Sequence, residues 1–273
     1  MDTVITSVQN AKVKEWSQLL AKKGRDAQGR FLVEGIHLVQ EALASNIVIE
    51  AILYDMDKGL PRELQPLLRN DTECIGVSAA VLAKCSSTET PQGVTAIAEK
   101  SQLPFASLLG QPDALVVVLD GVQDPGNVGT IIRSADAAGA TGIVLGRGTA
   151  DLYNPKTVRA TMGSLFHLPV VEADLQELLP KASAQGIRLV GTSLQAETDC
   201  YALDLKAPAW LIVGNEGAGV SPEVERHVTH RTIIPMHGRA ESLNVAMATT
   251  VLLFEAARQR RFNQTINPDF SPN

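Results

Sequence analysis

The residues best suited to chemistry fall in three short stretches. Asn127-Val128-Gly129-Thr130-Ile131-Ile132-Arg133 opens a predicted helix and sets a carboxamide and a guanidinium on it. Gly214-Asn215-Glu216-Gly217-Ala218-Gly219 follows a β-branched run, Leu211–Val213, and holds one carboxylate in a glycine-rich turn. Ile234-Pro235-Met236-His237-Gly238 follows a second apolar strand, and Ser242-Leu243-Asn244 then opens a long apolar helix to about Arg261, with Ser242 as its cap. Glycine in such loops lets backbone amides and carbonyls approach a ligand closely. Ligands of open α/β sheets sit beyond the carboxyl ends of the strands, which is where the second and third stretches would lie. Arg133 sits among Ile131, Ile132 and Ala135. A buried unpaired charge is costly, so it either pairs with Asp120 or Asp136 or has a chemical task.

Other chemistries lack their residues. Gly121–Gly129 follows a strand and opens a helix, but without G-x-G-x-x-G spacing, and no G-x-x-x-x-G-K-[ST] occurs. Neither a dinucleotide nor a nucleoside triphosphate is expected. His227, His230 and His237 do not follow a zinc pattern, and Cys74, Cys85 and Cys200 form no C-x-x-C pair. No metal is expected, and the scattered thiols suit a reduced, cytoplasmic protein. No apolar run reaches the roughly eighteen residues of a membrane span, and the N-terminus lacks a basic segment followed by an apolar one. A net charge of −6 argues against a protein that coats nucleic acid. Residues 1–30 nevertheless carry Lys12, Lys14, Lys22, Lys23, Arg25 and Arg30 against Asp2, Glu15 and Asp26. That is either a local RNA-binding face or a solvated helix face.

The elements that must hold these residues read as α/β throughout. Apolar residues at Val13, Trp16, Leu19 and Leu20 have a helical period over Asn10–Lys23, broken at Lys23-Gly24-Arg25. Strands are expected at Arg30–Glu34, Ile47–Tyr54, Glu73–Val77 and Val94–Ala98, with helices between them, including Pro61–Arg69 and one capped by Ser78. Pro104, Gly110 and Pro112 mark 99–113 as a linker. Ala114–Leu119 is a continuous apolar run suited to a buried parallel strand. Strands at Gly142–Leu145, Pro169–Val171, Ile187–Thr192, Leu211–Val213 and Arg231–Ile234 alternate with helices, which predicts a mostly parallel sheet. The expected organisation is a small α/β domain over 1–98, the linker, a larger α/β domain over 114–262 and a frayed tail over 263–273.

The three stretches N-x-G-x-x-x-R, G-N-E-G-x-G and I-P-M-x-G-x-x-x-S-L-N-V, in that order, resemble the motifs of the SpoU/TrmH-type RNA methyltransferases of the SPOUT superfamily. The resemblance is tight over Ala114–Arg261, and residues 1–98 are similar to the family's substrate-binding domain. It implies a deep trefoil knot in the C-terminal domain, which general rules of chain topology would not suggest. It implies S-adenosylmethionine as cofactor, a ribose 2′-hydroxyl as acceptor, RNA as partner and a homodimer with composite active sites. Arg133 would be the catalytic residue, removing the acceptor proton, stabilising oxyanion charge or orienting a phosphate. Asn127, Glu216, Ser242 and Asn244 would position Arg133 or the acceptor, while Gly214, Ile234, Met236, Gly238 and Leu243 would line the cofactor pocket. Lys12, Lys22, Lys23, Arg25 and Arg30 would contact RNA, and the N-terminal domain favours ribosomal RNA. Transfer RNA as substrate and a noncatalytic ribosome-assembly factor on the same fold are the alternatives.

Overall fold

A computed structural model describes residues 3–69, 72–101, 103–193 and 195–261; the tail expected from 263 lies outside them. The first part of the chain runs β1 (Thr3–Ile5), α1 (Ala11–Gln18), α2 (Lys22–Gln28), β2 (Arg30–Glu34), α3 (Ile36–Ala44), β3 (Ile49–Asp55), β4 (Glu73–Val77), α4 (Ala79–Lys84) and β5 (Val94–Glu99). The second runs β6 (Leu115–Asp120), α5 (Pro125–Ala138), β7 (Gly142–Leu145), α6 (Pro155–Thr161), β8 (Val170–Glu172), α7 (Leu175–Ala184), β9 (Arg188–Thr192), β10 (Ala209–Gly214), α8 (Pro222–Glu225), β11 (His230–Thr232) and α9 (Val245–Arg261).

These elements pack as two compact units that do not follow sequence blocks. The first holds the described residues up to 101 together with Asp124–Arg133 and Ala150–His167. The second holds Leu103–Gln123, Ser134–Thr149 and the described residues from Leu168 onward. The expectation of contiguous domains over 1–98 and 114–262 therefore differs from the packing. A fragment starting near Gln111 would strip the first turns of α5 and all of α6 of their packing partners. The expected linker is also structured in part. Phe105–Leu108 forms a 3-10 turn, and fully buried Leu108 joins the core of the second unit.

In the first unit the sheet order is β1-β4-β3-β5-β2. β1, β4 and β3 run parallel, and β5 is antiparallel to both β3 and β2. Val13, Trp16 and Leu19 sink into this sheet against Leu53, Ile75 and Ile97, which accounts for the helical period of the N-terminal stretch. Two helices stand where one was expected. Gly24 does not break the pattern but lies inside α2, where a Cβ would come 2.1 Å from the Gln18 carbonyl oxygen. Glycine is what lets α2 pack against the end of α1; the real stop is Gly29, with φ +66. The helix expected over Pro61–Arg69 shrinks to a 3-10 turn at Gln65–Leu67.

Two of the arginines expected to bind RNA are structural. Arg25 is 2% exposed. Its Nη1 donates to the carbonyls of Leu19 (2.7 Å) and Leu20 (2.9 Å), closing the end of α1, while Nε and Nη2 donate to the Asp151 carboxylate. Arg30 is pinned between the carboxylates of Glu15 and Glu50 and the Gln28 carboxamide. Neither is available to a polyanion, because each guanidinium already has its counter-charge. Arg25→Ala is expected to cost about 3–5 kcal/mol, since Asp151 would be left as an uncompensated, largely buried charge. Urea unfolding of the full chain measures this; a loss below about 1 kcal/mol would show that the pair is dispensable.

The second unit is built on a six-stranded sheet, order β11-β9-β10-β6-β7-β8, with every neighbouring pair parallel. β6 (LVVVLD) and β10 (AWLIVG) lie side by side at its centre, and all their residues are buried. Strands covered on both faces read as unbroken apolar runs for that reason. Gly214 pairs with Asp120, Ile212 with Gly191, and Thr232 with Thr192. The carboxyl ends of β9, β10 and β11 thus share one edge of the sheet.

Candidate active site

Beyond β10 the chain makes a tight loop organised by Asn215. The Asn215 Nδ2 donates to the Gly121 carbonyl at 2.9 Å, and its Oδ1 accepts from the amides of Gly217 (2.9 Å) and Ala218 (3.0 Å). The backbones of Asn215 and Gly219 exchange two further hydrogen bonds, and Gly219 has φ +72, a conformation open to glycine. Buried Asp120 accepts from the Ser221 amide at 2.7 Å and ties the loop to the end of β6. Glu216 is exposed, and its Oε2 accepts from the Gln123 amide at 3.1 Å. Gly214 has no space for a side chain. An added Cβ would lie 2.0 Å from the Gly219 carbonyl carbon and 2.2 Å from the Val220 nitrogen.

The third stretch comes to the same place. After β11 the chain passes Ile234 and Met236 to Ser242–Asn244, and these close a cleft of about 630 Å³ with the Gly214–Val220 loop. Its wall includes Gly214, Glu216, Ile234, Met236, Ser242, Leu243 and Asn244. Gly238 does not line it and is exposed. Thr192, Ser193, Gln195 and Glu225 also line the cleft. No motif marked them, but Thr192 ends β9 and Ser193 follows it, so the strand-end rule could have found them. Asn244, rather than Ser242, caps the last helix. Its Oδ1 accepts from the amides of Ala246 (2.9 Å) and Met247 (3.3 Å), and exposed Ser242 lies two residues before it.

Asn127 and Arg133 belong to the first unit, on the opening turns of α5. Asp124 caps that helix, accepting from the amides of Gly126 (2.7 Å) and Asn127 (3.0 Å). The Lys156 ammonium, assisted by the Asn127 amide, holds the Asp124 carboxyl below the usual carboxylate range. It stays ionised well below neutral pH. Gly129 has a packing role: a Cβ there would meet the Ala160 Cβ at 2.5 Å and the Thr157 carbonyl at 2.6 Å, so α5 lies tight on α6. Arg133 differs from the expectation of a buried arginine. Val128, Ile131, Ile132 and Ala135 form the covered side of α5, while Arg133 and Ala137, one turn apart, are exposed. Among the described residues Arg133 has neither an ion pair nor a hydrogen bond. The pairing with Asp120 or Asp136 is therefore absent among the described residues.

Lys12 is exposed and 3.4 Å from Glu73; Lys22 and Lys23 are exposed. His227 and His230 hydrogen-bond Gln176 and Thr229. Among the described residues no group of three or more potential ligands is placed to hold a metal ion.

The profile of the SpoU rRNA Methylase family matches residues 114–254, and that of the MRM3-like substrate binding domain matches residues 10–96. The chain is 39% identical over 250 residues to the 23S rRNA (guanosine(2553)-2'-O)-methyltransferase of Bacillus subtilis, covering 92% of this chain and 97% of that one. It is 36% identical over 270 residues to the 23S rRNA (uridine(2479)-2'-O)-methyltransferase of Streptomyces viridochromogenes, covering 96% and 94%. The crystal structure of the SpoU methyltransferase AviRb from Streptomyces viridochromogenes in complex with AdoMet superposes with a TM-score of 0.85 at 35% identity, covering 92% of this chain and 98% of that chain. With matches of this extent and with its motif loops built into one cleft, the chain belongs to the SpoU rRNA methylase family.

Proposed function

We propose that this protein transfers a methyl group from S-adenosylmethionine to a ribose 2′-hydroxyl of ribosomal RNA. One observation carries the reading: in a SpoU-family chain, two motif loops about twenty residues apart, each following its own strand, converge on one cleft at the carboxyl ends of parallel strands. The volume, about 630 Å³, is in the range of small-molecule sites. Ile234, Met236 and Leu243 offer apolar surface to a purine, and the peptide groups of Gly214–Gly219 with Thr192 and Ser193 offer hydrogen bonds to polar parts. When bound, the cofactor supplies a methyl group on a positively charged sulfur, already activated as a leaving group.

The protein's own task is to orient the acceptor and handle its charge. The hydroxyl oxygen gives up its proton to water as it bonds to the methyl carbon, whose bond to sulfur breaks to leave a neutral thioether. Arg133 has no counter-charge among the described residues, and we assign it to stabilising the developing negative oxygen. A guanidinium with a pKa above about 12 is a poor base at neutral pH. Asn127, Glu216, Ser242 and Asn244 position the acceptor or Arg133. Lys12, Lys22 and Lys23 contact RNA in this reading, and the 10–96 region selects it. The C-terminal sheet carries the trefoil knot, and the protein works in the cytoplasm.

The protein acts as a homodimer in this proposal. α9 buries Ala246, Thr249, Leu252, Leu253 and Ala256 and exposes two large apolar side chains two turns apart, Met247 (50%) and Phe254 (49%). Exposed apolar surface of this kind marks a contact surface. Met247→Asp with Phe254→Asp should convert a dimer to a monomer in light scattering. A wild-type monomer mass at micromolar concentration would contradict the dimer.

The function is tested by incubating the protein with methyl-labelled S-adenosylmethionine and either 23S rRNA or total tRNA, then digesting to nucleosides. Label is expected in a 2′-O-methylated nucleoside from 23S rRNA. Label in tRNA alone would move the substrate to tRNA, and no label in either would favour a scaffold.

A further inference from the structure

A second cleft lies in the first unit, between α1 and α4, with a volume of about 550 Å³. It is lined by Lys14 and Lys84, seventy residues apart in sequence, with Gln9, Ser17 and Gln18, and among the described residues no acidic residue lines it. Both lysines are exposed, and among the described residues neither has an ion-pair partner.

Several cations of the same unit are ion-paired, although exposed Lys22 and Lys23 also lack an ion-pair partner among the described residues. In the same unit Arg25 is matched to Asp151, Arg30 to Glu15 and Glu50, Lys100 to Asp26, Lys58 to Asp55 and Lys156 to Asp124. The chain as a whole is acidic, with a net charge of −6. Two like charges brought to one cleft without a carboxylate repel each other, and the repulsion is relieved when an anion enters. Their neighbours are neutral hydrogen-bonding groups. Ser17 Oγ donates to the Lys14 carbonyl at 3.0 Å and keeps its lone pairs as acceptors. The Gln18 Oε1 is taken by Gln28 at 3.4 Å. Ammonium groups meet phosphates as point charges, while a serine oxygen and glutamine carboxamides can meet ribose hydroxyls and base edges.

We propose that this α1–α4 cleft is an RNA-backbone site, in which Lys14 and Lys84 neutralise adjacent phosphates and Gln9 and Ser17 meet the sugar. The inference rests on the ribosomal-RNA reading above and adds a contact point that no motif marks. Lys14 and Lys84 would do what Arg25 and Arg30, locked in ion pairs, do not.

The test uses the full chain and a 23S rRNA transcript, with binding measured across a salt series. Lys14→Ala with Lys84→Ala is expected to weaken RNA binding roughly tenfold and to lower the slope of log K against log salt by about 1.4–1.8, the share of two phosphates. S-adenosylmethionine affinity, measured separately, should not change. Lys14→Arg with Lys84→Arg should restore most of the RNA affinity. Lys58→Ala with Lys206→Ala removes the same charge elsewhere and should leave the slope nearly unchanged. If the wild type binds and methylates the transcript while the Lys14/Lys84 double variant keeps its affinity and slope, the cleft assignment is overturned and the ribosomal-RNA reading stands. If the wild type neither binds nor methylates the transcript, both are overturned.

Discussion

Arg133→Ala is expected to slow methyl transfer by roughly 10²–10³-fold, the usual effect of removing a group that stabilises developing oxyanion charge. Stability should change by less than about 0.5 kcal/mol, because the side chain is exposed and has no partner among the described residues. The combination separates chemistry from structure. An arginine that braced Asp120 or Asp136 would lose stability and activity together. S-adenosylmethionine affinity should also survive, since Arg133 lies outside the cleft-lining set. Single-turnover methyl transfer with saturating cofactor is the measurement. A near-wild-type rate would remove Arg133 from the reaction, and a parallel fall in melting temperature would return it to a bracing role.

Gly214→Val is expected to weaken S-adenosylmethionine binding by about tenfold to a hundredfold, as calorimetry would read it. The sequence alone suggested that a side chain there would intrude on the ligand. The structure gives a nearer obstacle: the added Cβ would lie 2.0–2.2 Å from backbone atoms of Gly219 and Val220. Backbone cannot rotate away as a side chain can, so the loop must shift. Overpacking of this kind costs about 1–3 kcal/mol, and each 1.4 kcal/mol taken from binding is about tenfold in Kd. Gly214→Ala should show most of the effect. Gly217→Ala is the control, because its nearest neighbour would be the Asn215 Oδ1 at 3.6 Å. Undiminished affinity in a folded Gly214→Val protein would show that this loop does not shape the cofactor cleft.

What was legible in the sequence was what local pattern determines. The run Ala114–Leu119 reads as a buried parallel strand because both faces are covered, and it pairs beside the strand that contains Leu211–Val213. Ser78 reads as a helix cap and is one. The glycine turn after β10 and the Ile234–Asn244 stretch read as lying beyond the carboxyl ends of strands, and they line one cleft. What was not legible depends on partners distant in sequence. Nothing near Arg25 announces Asp151, 126 residues away, so a structural arginine read as an RNA contact. Gly24 read as a helix breaker because its close neighbour, the Gln18 carbonyl, is visible only once α2 has turned back on α1. Arg133 read as buried because its neighbours are apolar, yet a helix turns about 100° per residue and carries it to the opposite side. Ser242 and Asn244 are both good caps by type, and only the backbone chooses Asn244.

The most direct test of the account is ribose-methylation mapping of ribosomal RNA from the parent organism and from a strain lacking this protein. The account predicts that one 2′-O-methyl group in 23S rRNA disappears, returns with the wild-type chain, and fails to return with Arg133→Ala expressed at equal level. An unchanged methylation map in the deletion strain, or full restoration by Arg133→Ala, would contradict it.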